Sequence, residues 1–274
     1  MIKEALYNYL LSETKALVAA HNKLALKPRD QAAVHEQRVG VKKIRAFFDL
    51  TDNIPGLKFK YGRYLNKGRM LQAIAGIARD AQLQTRALNK YEKQLRWRFS
   101  YAHLLLQEKQ EVAAELTLTA VKRLKLSQLE ELPQAFKKHL EPLPEAELNI
   151  LLLKYIDSEY GNIGSPALKA GHVAWHELRK KMKRAYYQLT MLKDVLPPTS
   201  HYHQMLAFAK KAGELLGTWH DSSELHFFVQ STMRKVKKEK LPLPVKAMQL
   251  LKILKQESQE KLALCAMHFP ERIV

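Results

Sequence analysis

Histidine, arginine and lysine recur at one helical spacing in two places along the chain. The first run is His35, Arg38, Lys42 and Arg45, and the second is His176, Arg179 and Lys183. On a helix turning about 100° per residue, the first four fall within an arc of roughly 80°. Val41, Ile44 and Phe48 fall on a separate arc suited to a core. The second run divides the same way, with Leu178, Met182, Ala185 and Leu189 set apart from its cations. Lys43 flanks the first stripe, and Lys180 and Arg184 flank the second.

Like charges three and four residues apart repel one another, at a cost of a few tenths of a kcal/mol per pair. A face built only for solubility would mix both signs. Here the nearest acids, Glu36 and Glu177, each stand one residue off the line. An anion lying along the stripe removes the repulsion. Arg presents a planar fork to phosphate oxygens and Lys a movable point charge. His donates from a ring nitrogen and gains charge when a phosphate raises its pKa. A metal held by the histidines would need further ligands among neighbours that are cations, so no metal is expected.

The two runs are 141 residues apart, and other pairs share that offset: Glu36 with Glu177, Lys43 with Arg184, Gly76 with Gly217, and Asp80 with Asp221. Two separate segments matching at one offset argue for an internal duplication, with halves at about 1–140 and 141–274. Gly and Asp four apart share a helix face. Gly admits a close neighbour, and Asp then holds a basic side chain in place. Asp80 and Asp221 are therefore expected to support the stripes, with carboxyl pKa values lowered by the cations around them. Arg63, Lys67, Arg69, Lys210 and Lys211 are expected to extend the basic surface. Arg234 to Lys238 reads as easily as a solvated helix end.

The 274 residues carry 46 Lys and Arg against 27 Asp and Glu, a net charge of +19. A charge of this size works against folding and suits an anionic partner, whether nucleic acid, an anionic surface or another polyanion. Cys265 is the single cysteine, so no internal disulfide forms and a reducing compartment fits. No apolar run reaches the length of a signal peptide or a membrane span, which predicts a cytoplasmic protein without a membrane partner.

Helical periodicity dominates, predicting helices over 2–26, 30–51, 60–90, 91–126, 166–193, 200–215, 217–238 and 244–268. Breakers such as Lys27-Pro28, Pro55-Gly56, Pro197-Pro198 and Leu241-Pro242 separate them. Asp30 is placed to cap the second helix, and Ser165 the helix of the second stripe. The Pro- and Glu-rich stretch 127–165 reads as the boundary between halves. The expected fold class is all-α.

At these residues the sequence resembles the CHAD family, the conserved histidine α-helical domain. Val34 to Arg45 looks like its leading signature, Trp175 to Tyr187 its second, and Gly76–Asp80 with Gly217–Asp221 the elements that follow. The resemblance implies two pseudo-symmetric helical bundles around a basic central groove or pore. It implies binding of inorganic polyphosphate, often on polyphosphate granules, with no reaction and no cofactor. Tyr186 and His220 stand where Arg45 and Arg79 would recur, so the second copy is expected to differ. Glu-x-Glu-x-Lys strands of a fused triphosphatase are absent. A single-stranded nucleic acid is the alternative partner, although no regular stacking aromatics accompany the stripe. A phosphate-transfer enzyme would need a Gly-rich loop or an acidic metal cluster, and neither motif occurs.

Overall fold

The computed structural model describes residues 2–196 and 201–269, and all regular structure among them is helical. In chain order the helices are α1 (Ile2–Leu26), α2 (Gln31–Thr51), α3 (Gly62–Leu95), α4 (Ser100–Arg123) and α5 (Leu126–Leu140). α6 (Glu145–Tyr160), α7 (Gly171–Leu192), α8 (His201–Lys238) and α9 (Val245–His268) follow, with a 3₁₀ turn at Leu168–Ala170 before α7. None is long and apolar enough to cross a membrane. Pro197 and Pro198 lie outside the described residues.

The helices form two compact units. The first gathers Met1–Gly76, Ala113–Ile163 and Lys181–Lys210, and the second Ile77–Val112, Gly164–Lys180 and Lys211–Val274. Each unit draws on both sequence halves, because α3, α4, α7 and α8 contribute to both.

In the first unit α1 packs against α2, α5 and α6. Leu6, Leu10, Leu17 and Leu24, spaced by four and then seven residues, bury one side of α1, and Val41, Ile44 and Phe48 bury the matching side of α2. Phe47, Phe48, Phe59 and Phe136 form an aromatic cluster, with Phe136 edge-on to the other three at 5.0–5.7 Å. Asp30 caps α2 as expected, accepting from the Ala33 N–H at 2.8 Å. Within the core, Gln188 of α7 donates to the Ala46 carbonyl of α2 at 2.8 Å and accepts from the Tyr160 hydroxyl at 2.5 Å.

The second unit has its own core of Leu88, Tyr91, Phe99, Leu106, Leu225, Val229, Leu250 and Leu254. Tyr91 donates to Glu257 at 2.7 Å, which ties α3 to α9. Glu92 accepts from the Phe99 N–H at 2.6 Å and fixes the turn from α3 into α4.

Three sequence expectations change. The stretch 127–165, where no helix was expected, holds α5 and α6. Pro133 sits inside α5, where Leu129, Leu132, Phe136 and Leu140 are all buried. Residues 200–215 and 217–238 are one helix, α8, which runs through Gly217. A single interior Gly costs only about 1 kcal/mol, and buried Leu216 and Trp219 hold the helix across it. Ser165 caps nothing in α7, because that helix starts at Gly171, whose φ of +79° suits glycine.

Candidate polyanion-binding site

In the first unit the α2 stripe leaves the core as the periodicity requires. His35 is exposed, while Arg38, Lys42 and Arg45 are half-buried along their stems. The Arg38 guanidinium lies on α3 over Gly76. A Cβ at Gly76 would stand 3.6 Å from Nη2, and Arg38 Nη1 approaches the Gly76 carbonyl at 3.4 Å. A Cβ there would make only ordinary van der Waals contact, so the guanidinium rests on this turn of α3 without requiring the glycine.

Further along, Arg45 of α2 and Arg69 of α3 line one open cleft of about 420 Å³, together with Asn66, Met70, Gln72 and Ala73. Asp49 stands one turn beyond Arg45. Burial raises its carboxyl pKa, while Arg45, Arg184 and Arg69 each pull it back down. Two arginines of the first half and one of the second are thus close enough to act on one carboxylate. Asp49, Asn66 and Gln72 carry no motif. The signal that would have found Asp49 was its i+4 spacing from Arg45.

Other expected residues of this unit contribute less. Lys43 pairs with Glu13 of α1 at 2.7 Å, so its charge is already answered. Arg184 reaches Glu159 at 3.4 Å. Arg63 folds back over the Tyr64 ring at 4.6 Å and donates to its hydroxyl. Lys67 and Lys210 are exposed, and Lys183 is half-buried.

The second unit holds the rest: Arg79 and Asp80 on α3, His176, Arg179 and Lys180 on α7, and Lys211, His220 and Asp221 on α8. Lys180 pairs with Glu177 at 2.6 Å, and Lys211 is exposed. The supporting role of Asp221 has its expected neighbours, since Arg179, Arg79 and Lys261 all act on it. Its pKa, however, is raised rather than lowered. Partial burial and the nearby Asp80 carboxylate outweigh the cations, although the side chain keeps an exposed edge. The pKa of His176 is lowered, first by burial and then by Arg179 and Lys180, which favours its neutral form. A Cβ at Gly217 would meet nothing within 4 Å, so no neighbour uses the space that Arg38 occupies over Gly76.

α7 also carries a feature outside the stripe. His172 lies one turn before His176, and its ring sits 6.0 Å from that of His220. Glu224, one turn beyond His220, brings a carboxylate to both histidines. The i, i+4 spacing within each helix was visible in the sequence, but the pairing of the two helices was not.

No curated protein matches this sequence. A profile of the CHAD domain matches residues 9–230. Among solved structures, the fold is similar to the crystal structure of the CHAD domain from the plant Ricinus communis. The TM-score there is 0.64 at 15% identity, over 96% of this chain and 87% of that one. It is also similar to PptA from Streptomyces chartreusis, with a TM-score of 0.61 at 13% identity and 97% of each chain covered. Identities this low speak only to the fold, and it is the profile, spanning both histidine stripes and the Gly-Asp elements, that makes this chain a member of the CHAD domain family.

Proposed function

We propose that this protein binds inorganic polyphosphate without transforming it, gripping successive phosphates in the first unit with the α2 stripe and with Arg69; the α7 cations of the second unit offer a set of contacts of the same kind. The observation that carries this reading is the meeting of Arg45 and Arg69, from different helices, on one open cleft. Asp49, one turn beyond Arg45, is near enough to act electrostatically on both guanidinium groups, and the amide side chains of Asn66 and Gln72 line the same cleft. Binding of polyphosphate by some CHAD members supports the same ligand class. The internal duplication is supported by the matching extents of α2 with α7 and of α3 with α8. Placement on cytoplasmic polyphosphate granules belongs to this proposal and follows from the ligand.

A flexible chain with about one negative charge per phosphate would bind through many ion pairs and counterion release, so affinity should fall steeply with salt. A single-stranded nucleic acid would meet the same charges but would also need aromatic platforms. Tyr186 and Tyr187, the nearest candidates, are tilted against each other at 5.8 Å and half-buried, which does not suit them to stacking bases.

The test is competition. Long-chain polyphosphate bound to the protein is challenged with single-stranded RNA at equal charge concentration. Retention of polyphosphate is expected, and displacement by RNA overturns the reading. Charge reversal at Arg38 and Lys42 should weaken binding more than reversal at Arg234 and Lys235, and the opposite ranking moves the site. Incubation with polyphosphate and a divalent metal should release no free phosphate.

A further inference from the structure

His172, His220 and Glu224 form a cluster that polyphosphate binding does not explain. His172 Nε2 lies 3.8 Å from Glu224 Oε1, and His220 Nδ1 lies 4.0 Å from the same oxygen. All three atoms fall within 4.8 Å of one another. Neither distance is a hydrogen bond. His172 Nε2 is also buried with no hydrogen-bond partner among the described residues. Three ligand atoms therefore surround a gap rather than bonding across it. Tetrahedral ligands held at 2.0–2.2 Å from a zinc ion stand somewhat over 3 Å apart, so a small closure of the side chains would complete such a site.

The surroundings favour a cation more than the net charge suggests. Asp80 and Asp221 both act on Glu224, against Arg179. The stripe cations alone would repel a metal, and these carboxylates oppose them here. The ring of His172 is also held in place. It packs against Trp219 at 5.0 Å and edge-on to Phe227 at 5.2 Å, so little side-chain freedom remains to be lost on binding. The i, i+4 pair His220 and Glu224 presents two ligands from one helix face, and His172 supplies the third from α7.

We propose that His172, His220 and Glu224 bind a divalent transition metal of the zinc class, with a fourth position left for water or an added ligand. Two imidazoles and one carboxylate suit zinc, cobalt or nickel better than magnesium or calcium, which prefer oxygen. Binding would lock α7 to α8 beside Arg179, at one end of the second stripe.

The test uses the full chain, freed of any polyhistidine tag, treated with chelator and kept in phosphate-free buffer. Titration with cobalt(II) chloride should fill one site per chain and give the visible absorption of low-coordinate cobalt. One equivalent of zinc should bleach it. His172→Asn and Glu224→Gln should each weaken zinc binding by at least about tenfold, the range lost even when a supporting partner is removed. His203→Asn, on the part of α8 that belongs to the first unit, should not. The His172 and Glu224 side chains are 29% and 45% exposed, so both variants should keep the helical circular dichroism of the parent. His172→Cys should restore a ligand and add a thiolate-to-cobalt charge-transfer band. Absence of the cobalt band, zinc binding indifferent to both variants, or a His172→Cys protein without the charge-transfer band overturns the proposal.

Discussion

Replacing Arg45 and Arg69 together by Ala removes the two guanidinium groups that line the α2–α3 cleft. A hydrogen bond to a charged group is worth about 1.5–3 kcal/mol. With tenfold in affinity for each 1.4 kcal/mol, each arginine should account for roughly a tenfold to hundredfold loss of polyphosphate affinity. The salt dependence gives a second, independent magnitude. Each phosphate contact on a single-stranded polyanion contributes about 0.7 to the slope of log K against log salt, so the double variant should lose about 1.4. Lys43→Ala is the internal control, because its ammonium is already engaged by Glu13 at 2.7 Å and should be worth little to the ligand. Fluorescence anisotropy with end-labelled polyphosphate, at four or more salt concentrations, measures affinity and slope together. If Lys43→Ala costs as much as the double variant, or if the slope is unchanged, the cleft is not where the phosphates sit.

Other expectations concern stability. His21 is only 4% exposed, and burial alone lowers its pKa below 6.5. The unfolded chain therefore takes up this proton at higher pH than the folded one, and stability falls as pH drops through about 6.5. His21→Leu should show a shallower loss of melting temperature between about pH 7 and 5, and an unchanged profile would remove His21 from that role. Gln188→Ala should destabilise by roughly 1–3 kcal/mol in urea, because the buried Tyr160 hydroxyl loses its acceptor. Gly217→Ala should stabilise by up to about 1 kcal/mol, since a Cβ there meets nothing. Gly56→Ala should destabilise by about 1 kcal/mol or more, since Gly56 has a φ of +77° with Leu143 at 3.1 Å. Thermal melts that rank the two glycines the other way would refute this account.

Much of the helical plan was legible because the apolar spacing was regular. The core face of α2 and the Asp30 cap could be read residue by residue. The region of α5 and α6 could not, because Pro133, Pro142, Pro144 and the glutamates of 127–165 carry the composition of a linker. Burial overrides that composition: Phe136 packs among three other aromatic rings, and Leu148, Leu152 and Ile156 give α6 a buried face. Gly217 misled for the opposite reason, since a breaker in a short peptide is a minor cost inside a helix running from His201 to Lys238. At the site, the stripe cations were visible from spacing, but their partners were not. Spacing along one helix cannot reveal that Lys43 meets Glu13, that Arg38 rests on Gly76, or that Asp49 acts on three arginines. The raised pKa of Asp221 was missed because net charge says nothing of a neighbouring carboxylate or of burial.

Gln188 binds the middle of α2 from inside a helix that belongs to the other half of the sequence. Each compact unit likewise takes segments from both halves. The repeat in the sequence is therefore not a module that could be cut out and kept. A half expressed alone would own pieces of two cores and the whole of neither. The covalent join between the halves brings the pieces of each core together within one chain, and so independently of protein concentration.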